Sequence, residues 1–332
     1  MKKREPGIDL IRCVGLLFVV STHFFLKNGY YFEPQTGVSM WLANSFRWLF
    51  YCCNGIFLLL TGYLKSTKPF TRDYYRSILP ILMGYVLTCL FSFPVRHFLL
   101  GEELSIAEWF EKFISFANYS WYLEMYIGLF LFSPILNLAL QNLKDDTQWL
   151  MIMGSMVFLT GLPSAFTPNF FPDYWKALYP MTYYILGAAI RHFQPKIKPW
   201  IALGLMALTA LGLGAATILS TDGKVTDGFS QGYGGFWITA IGVFLFLGLY
   251  RLPIGNKCAK ALAWLAGGCF EGYILSRLFD VWVYAQFPQW HSPEKYPIAY
   301  VCITIPIFIV SLLLGKAVHT LAEKLTAKKR TA

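Results

Sequence analysis

Charge is what this sequence has least of: Asp, Glu, Lys and Arg make up 14% of its 332 residues, against about 25% in a soluble domain. So little polar surface could not cover a soluble globule of this size, and that class is excluded. Cysteine chemistry is sparse as well. The seven cysteines form no C-x-x-C pair, and all but Cys258 lie in apolar runs, the pattern of buried thiols rather than of metal or redox sites. The N-terminal basic residues and the apolar run after them lack an A-x-A cleavage site near Ser21-Thr22-His23, so the first apolar segment is expected to stay as a span. No repeat relates the two halves, which weakens a transporter reading built on inverted repeats. Residues 1–332 read as a single transmembrane domain with no soluble domain attached.

What is present is apolar: 56% hydrophobic and 18% aromatic residues. At about 20 residues per crossing, the length has room for roughly eight to eleven helical spans. Hydropathy and turn signals place ten, at 8–26, 40–64, 77–95, 119–140, 148–166, 177–190, 199–220, 233–250, 261–286 and 297–315. The expected fold is an all-α polytopic membrane helical bundle of about ten transmembrane helices.

A formal charge of +10 would suit a polyanionic partner such as nucleic acid, unless the basic residues report orientation. Of the 28 Lys and Arg, nineteen fall on the side of the N-terminus, six fall in the opposite loops, and Arg12, Arg47 and Arg277 lie within spans. A threefold bias over short loops puts both termini in the cytoplasm of a multi-pass protein of the cytoplasmic membrane. Most of the charge is therefore topology, and no nucleic-acid partner is expected.

The informative residues are ionisable groups inside spans, each costly unless paired or set in a wet cavity. Asp9–Arg12 and Arg277–Asp280 both have the i,i+3 spacing of mutually neutralising pairs. Glu271 has no partner nearby in sequence. Arg12 and His23 are separated by eleven residues, which is roughly 20° beyond three full turns and roughly 16 Å along the axis. They share one face, a cation near the inner end and a titratable imidazole near the outer end. That spacing suits a ligand threaded along the helix; a histidine at a span end also serves as a plain interfacial residue. Glu124, entering the fourth span at the depth of His23, could orient the imidazole for general-base work or could pair with Arg47. The basic loop Lys65, Lys68, Arg72 and Arg76 reads as orientation signal, with Arg76 placed to turn inward toward a phosphate.

These residues resemble the acyltransferase-3 family of membrane acyltransferases that modify cell-surface glycans. The family's Arg, ten residues, then His is matched by Arg12 and His23. Its F-x-x-x-S-G-Y/F signature is matched by Phe57-Leu58-Leu59-Leu60-Thr61-Gly62-Tyr63, with Thr for Ser. Its R-x-x-x-P is matched by Arg76 and Pro80, and its Trp-Tyr-Leu by Trp121 to Leu123. The S-F-x-x-Y-L-x-H pattern runs parallel to Cys269 through Ser276, where Ser replaces His, so no second catalytic histidine is implied there. The resemblance implies transfer of an acyl group, usually acetyl, from cytoplasmic acetyl-CoA to a hydroxyl of a surface polysaccharide or lipid-linked sugar. It makes Arg12 and His23 the essential pair, with Glu124 as orienting carboxylate, Arg12, Arg72 and Arg76 as coenzyme contacts, membrane lipid as surroundings and no metal. The competing expectation is a transporter or flippase of a glycan or lipid intermediate.

Overall fold

The computed structural model describes residues 4–103, 105–114, 116–165, 172–220, 232–286 and 292–327. Lys2, Lys3, Lys224 and the basic run 328–330, which enter the charge count, lie outside them. Among the described residues every regular element is helical. Among the helices of the described residues, those of ten residues or more are α1 (Pro6–Lys27), α2 (Gly37–Tyr51), α3 (Cys53–Lys65), α4 (Leu79–Leu100), α5 (Phe116–Gln141), α6 (Asp146–Thr160), α7 (Tyr179–Phe193), α8 (Pro199–Ser220), α9 (Phe236–Leu249), α10 (Asn256–Leu265), α11 (Cys269–Ala285) and α12 (Ile305–Ala327).

Among the described residues, six helical runs are long and apolar enough to cross a membrane: Pro6–Lys27, Gly37–Lys65, Arg72–Phe98, Trp121–Gln141, Pro199–Ser220 and Pro293–Thr326. The other four expected spans contain α6, α7, α9 and α11, with 15, 15, 14 and 17 residues. At 1.5 Å per residue these reach about 21–26 Å, short of a hydrocarbon core of about 30 Å. Among the described residues, length and composition thus support six of the ten expected crossings. Two boundaries also moved. The second span is two helices joined at Cys52, whose ψ of 0° interrupts the α-helical ladder. The ninth is split by a 3-10 turn at Ala266–Gly268, which separates α10 from α11.

The α1 helix forms the centre of the bundle. Its apolar window is 72% buried, and it packs against α2, α3 and α11. A Pro in the first turn and an acidic Asp9 suit its N-terminus, and Lys27 suits its C-terminus. The closest helix–helix approach is between α3 and α7. A Cβ placed on Gly62 would collide with the Tyr184 carbonyl, and one on Gly187 with the Leu59 carbonyl. Small residues of this kind let backbones meet in a bundle with no hydrophobic drive between helices. The glycine of the F-x-x-x-T-G-Y signature is therefore a packing residue, while Phe57 and Thr61 of the same signature line a cavity beside it.

Candidate active site

Asp9, Arg12, Val19 and His23 rise along α1 toward its C-terminal end. Asp9 is buried and anchors two guanidinium groups. Arg4 Nε donates to Oδ2 at 2.6 Å and Arg12 donates to Oδ1 at 2.7 Å. The i,i+3 pair expected from spacing is therefore formed and carries a second arginine. The hydrogen bond to Asp9 raises the Arg4 pKa above its ordinary value, against the opposing effect of burial. A further Arg4 nitrogen donates to the Ala263 carbonyl at 2.8 Å, tying the N-terminal segment to α10. The Arg12 side chain keeps 30% of its surface accessible, and that surface faces a cavity.

His23, eleven residues up the same face, is paired with Asp280 of α11, Nδ1 to Oδ2 at 2.5 Å. Asp280 is 1% exposed, and its other oxygen has no hydrogen-bond partner among the described residues. The imidazole itself retains 24% accessible surface. A carboxylate on Nδ1 fixes the tautomer with its lone pair on Nε2 and stabilises the imidazolium that forms when Nε2 takes a proton. Asp280 thus occupies the position that sequence depth had offered to Glu124. Glu124 is exposed on α5, turned away from the buried Tyr122 and Leu123 beside it. Arg277, the sequence neighbour expected to neutralise Asp280, is exposed. Arg47 is buried in an aromatic box, its guanidinium carbon 4.5 Å from the Trp48 ring centroid and 5.3 Å from that of Tyr31, and it donates to the Tyr31 hydroxyl.

Beneath His23 lies a cavity of about 520 Å³, within the range of small-molecule sites. Arg4, Arg12, Lys65 and Lys316 contribute cations to its wall, and Phe57, Leu60, Tyr122 and Tyr273 contribute apolar surface. It reaches Val19, four residues and about 6 Å of helix short of His23. Arg72 and Arg76 lie elsewhere. Both are exposed, neither lines the cavity, and Arg76 pairs with Asp73 at 3.6 Å. The cations that line the cavity are instead Arg4, Arg12, Lys65 and Lys316. Of these, sequence reasoning singled out Arg12 alone. Lys65 and Lys316 had been absorbed into the orientation count, where a basic residue at a helix end carries no further signal.

Glu271, unassigned by sequence, faces the same cavity. It accepts from His319 Nδ1 of α12 at 3.0 Å, and the other imidazole nitrogen lies 3.4 Å from Glu323. The arrangement as a whole is an elongated, partly apolar cavity with cations at one end and a carboxylate-bound imidazole one turn beyond the other. It is suited to a long anionic molecule with a reactive far end.

Comparison with curated proteins and with solved structures found no match to this chain. A family model described as an acyltransferase domain, acyltransferase-3, matches residues 5–316, which takes in Arg12, His23, Asp280 and the cavity. The chain is a multi-pass membrane protein that belongs to the acyltransferase-3 family of acyltransferases.

Proposed function

We propose that this protein is a membrane O-acyltransferase. It moves an acyl group, acetyl in the first instance, from cytoplasmic acyl-CoA to a hydroxyl of an extracytoplasmic or lipid-linked glycan. The observation that carries the reading is the continuity of one helix face: Arg12 at the cation-lined end of the cavity, Val19 at its far end, and His23 one turn on, held by a buried carboxylate. The roughly 16 Å from Arg12 to His23 is comparable to an extended pantetheine arm. Phosphates can stay with Arg4, Arg12, Lys65 and Lys316 while the thioester reaches the imidazole.

In this reading His23 Nε2 takes the proton of the acceptor hydroxyl as its oxygen attacks the thioester carbonyl. Collapse of the tetrahedral species forms the new ester C–O bond and breaks the C–S bond. The imidazolium, stabilised by Asp280, returns its proton to the departing CoA thiolate. The His23 side chain keeps 24% of its surface accessible, which leaves room for an acceptor.

The test uses the purified protein in detergent or nanodiscs with acetyl-CoA, alongside mass spectrometry of surface polysaccharide from cells with and without the gene. Loss of an acetyl mass increment without the gene, and loss of acetyl-CoA turnover in His23→Ala, are expected. Full turnover in a folded His23→Ala protein would remove the base assignment. Movement of a glycan across vesicles in the absence of CoA would replace the enzyme by a flippase.

A further inference from the structure

Glu271 is a buried carboxylate with half its hydrogen-bonding capacity uncommitted. The residue is 1% exposed and lines the cavity. Its Oε1 accepts from His319, while Oε2 is buried with no hydrogen-bond partner among the described residues. Leaving a charged acceptor buried and unsatisfied is costly. The chain makes room for the carboxylate on its other side, since a side chain at Gly84 of α4 would run into Oε1, the oxygen that His319 holds.

An ionised carboxylate can only accept hydrogen bonds, so its partner must be an N–H or O–H group. Phosphate is excluded as that partner, because it brings acceptors and negative charge; the phosphates belong with Arg12 and Lys316. Glu271 lies nine residues before Asp280 on α11, about 13.5 Å along the axis from the level of His23. That is close to the Arg12 end but inside the cavity. The part of an acyl-CoA expected at that depth is the neutral arm, which carries two amide N–H groups and a hydroxyl.

Resting on the acyltransferase reading above, we propose that Glu271 Oε2 receives a hydrogen bond from an N–H or O–H of the pantetheine arm. It thereby acts as a positioning residue that sets how far the thioester advances toward His23. His319 holds the carboxylate from the other side and leaves Oε2 for the ligand.

The experiment measures binding of CoA and of ADP to the full-length protein by calorimetry. ADP carries the diphosphate without the arm. In Glu271→Gln the amide oxygen still accepts from His319, but the group in the place of the unpartnered Oε2 becomes an N–H donor. CoA affinity is expected to fall about tenfold or more, with ADP affinity within twofold of wild type. Glu271→Asp, which withdraws the carboxylate by one methylene, serves if the Gln variant does not assemble, and should show the same selective loss. In turnover, KM for acetyl-CoA should rise with the CoA Kd. Equal losses for CoA and ADP, or no loss for either, overturn the assignment while leaving the enzyme reading intact. A wild-type protein that binds neither ligand overturns both.

Discussion

Replacing Asp280 with Asn tests the reaction centre with the least change in shape. In the wild type the imidazole is held at 2.5 Å by a carboxylate that is 1% exposed. Its second oxygen has no partner among the described residues, so His23 is the main group stabilising that buried charge. Asn can still accept from Nδ1, but it brings no charge to stabilise the imidazolium formed in the transition state. Hydrogen bonds to charged groups contribute about 1.5–3 kcal/mol, and 1.4 kcal/mol is a tenfold change in rate. A loss of roughly 10- to 150-fold in kcat follows. It grows toward the 10⁴-fold extreme only if the amide turns its N–H₂ to the imidazole and reverses the tautomer. KM for acetyl-CoA should change little, because the cations of the cavity are about 16 Å of helix away. The assay is initial-rate acetyl transfer by purified protein across a range of acetyl-CoA concentrations, with a thermal melt to verify folding. A kcat within threefold of wild type would refute the dyad, as would an effect confined to KM.

The exposed position of Glu124 predicts that Glu124→Gln keeps kcat and KM within about twofold, measured beside Asp280→Asn in the same assay. Arg12→Ala should abolish measurable CoA binding by calorimetry, whereas the double change Arg72→Gln, Arg76→Gln should leave it within threefold, since neither arginine lines the cavity. Asp9→Asn frees both Arg4 and Arg12 from their shared anchor, and KM for acetyl-CoA should rise about tenfold with kcat nearly unchanged. Gly62→Ala forces a methyl group against the Tyr184 carbonyl; a loss of about 1–3 kcal/mol or more from overpacking should appear as a lowered melting temperature or failure to purify, even though Gly62 touches no reacting group.

The parts of this molecule that could be read from the sequence are those decided within one helix. Hydropathy located the apolar helices, and the spacing of Arg12 and His23 placed both on one face because α-helical geometry leaves no alternative. The Asp9–Arg12 pair followed from the same periodicity. Whatever depended on how helices rotate against one another was not legible. Glu124 matches His23 in depth, but depth says nothing of azimuth, and α5 turns that carboxylate outward. Arg277 and Asp280 have favourable spacing, yet such a pair contributes only about 0.2–0.5 kcal/mol on a helix. A buried contact to an imidazole on another helix outweighs it. The break at Cys52 and the turn at Ala266–Gly268 were hidden for a related reason: apolar residues continue through both, so hydropathy sees one run where the backbone forms two helices.

The two helices that build the site also fix its dimensions. Arg12 and His23 share α1, and Glu271 and Asp280 share α11, so the separation within each pair can change only by breaking backbone hydrogen bonds of a helix. In the proposed reaction the distance from Arg12 to His23 is therefore a rigid length, set against the arm of the donor. Any movement that admits an acceptor must come from elements that are less regular. One such element is the π-helical turn at Tyr300–Thr304, whose Tyr300 hydroxyl is 2.8 Å from that of Ser21 and whose ring stacks on Phe50. Such turns are rare and are found frequently at functional sites. In the proposed reaction this geometry would select the donor by length before acyl chemistry. A short acetyl thioester without the nucleotide can meet Arg12 or His23, but not both at once, so it loses the binding energy that brings its carbonyl to the imidazole.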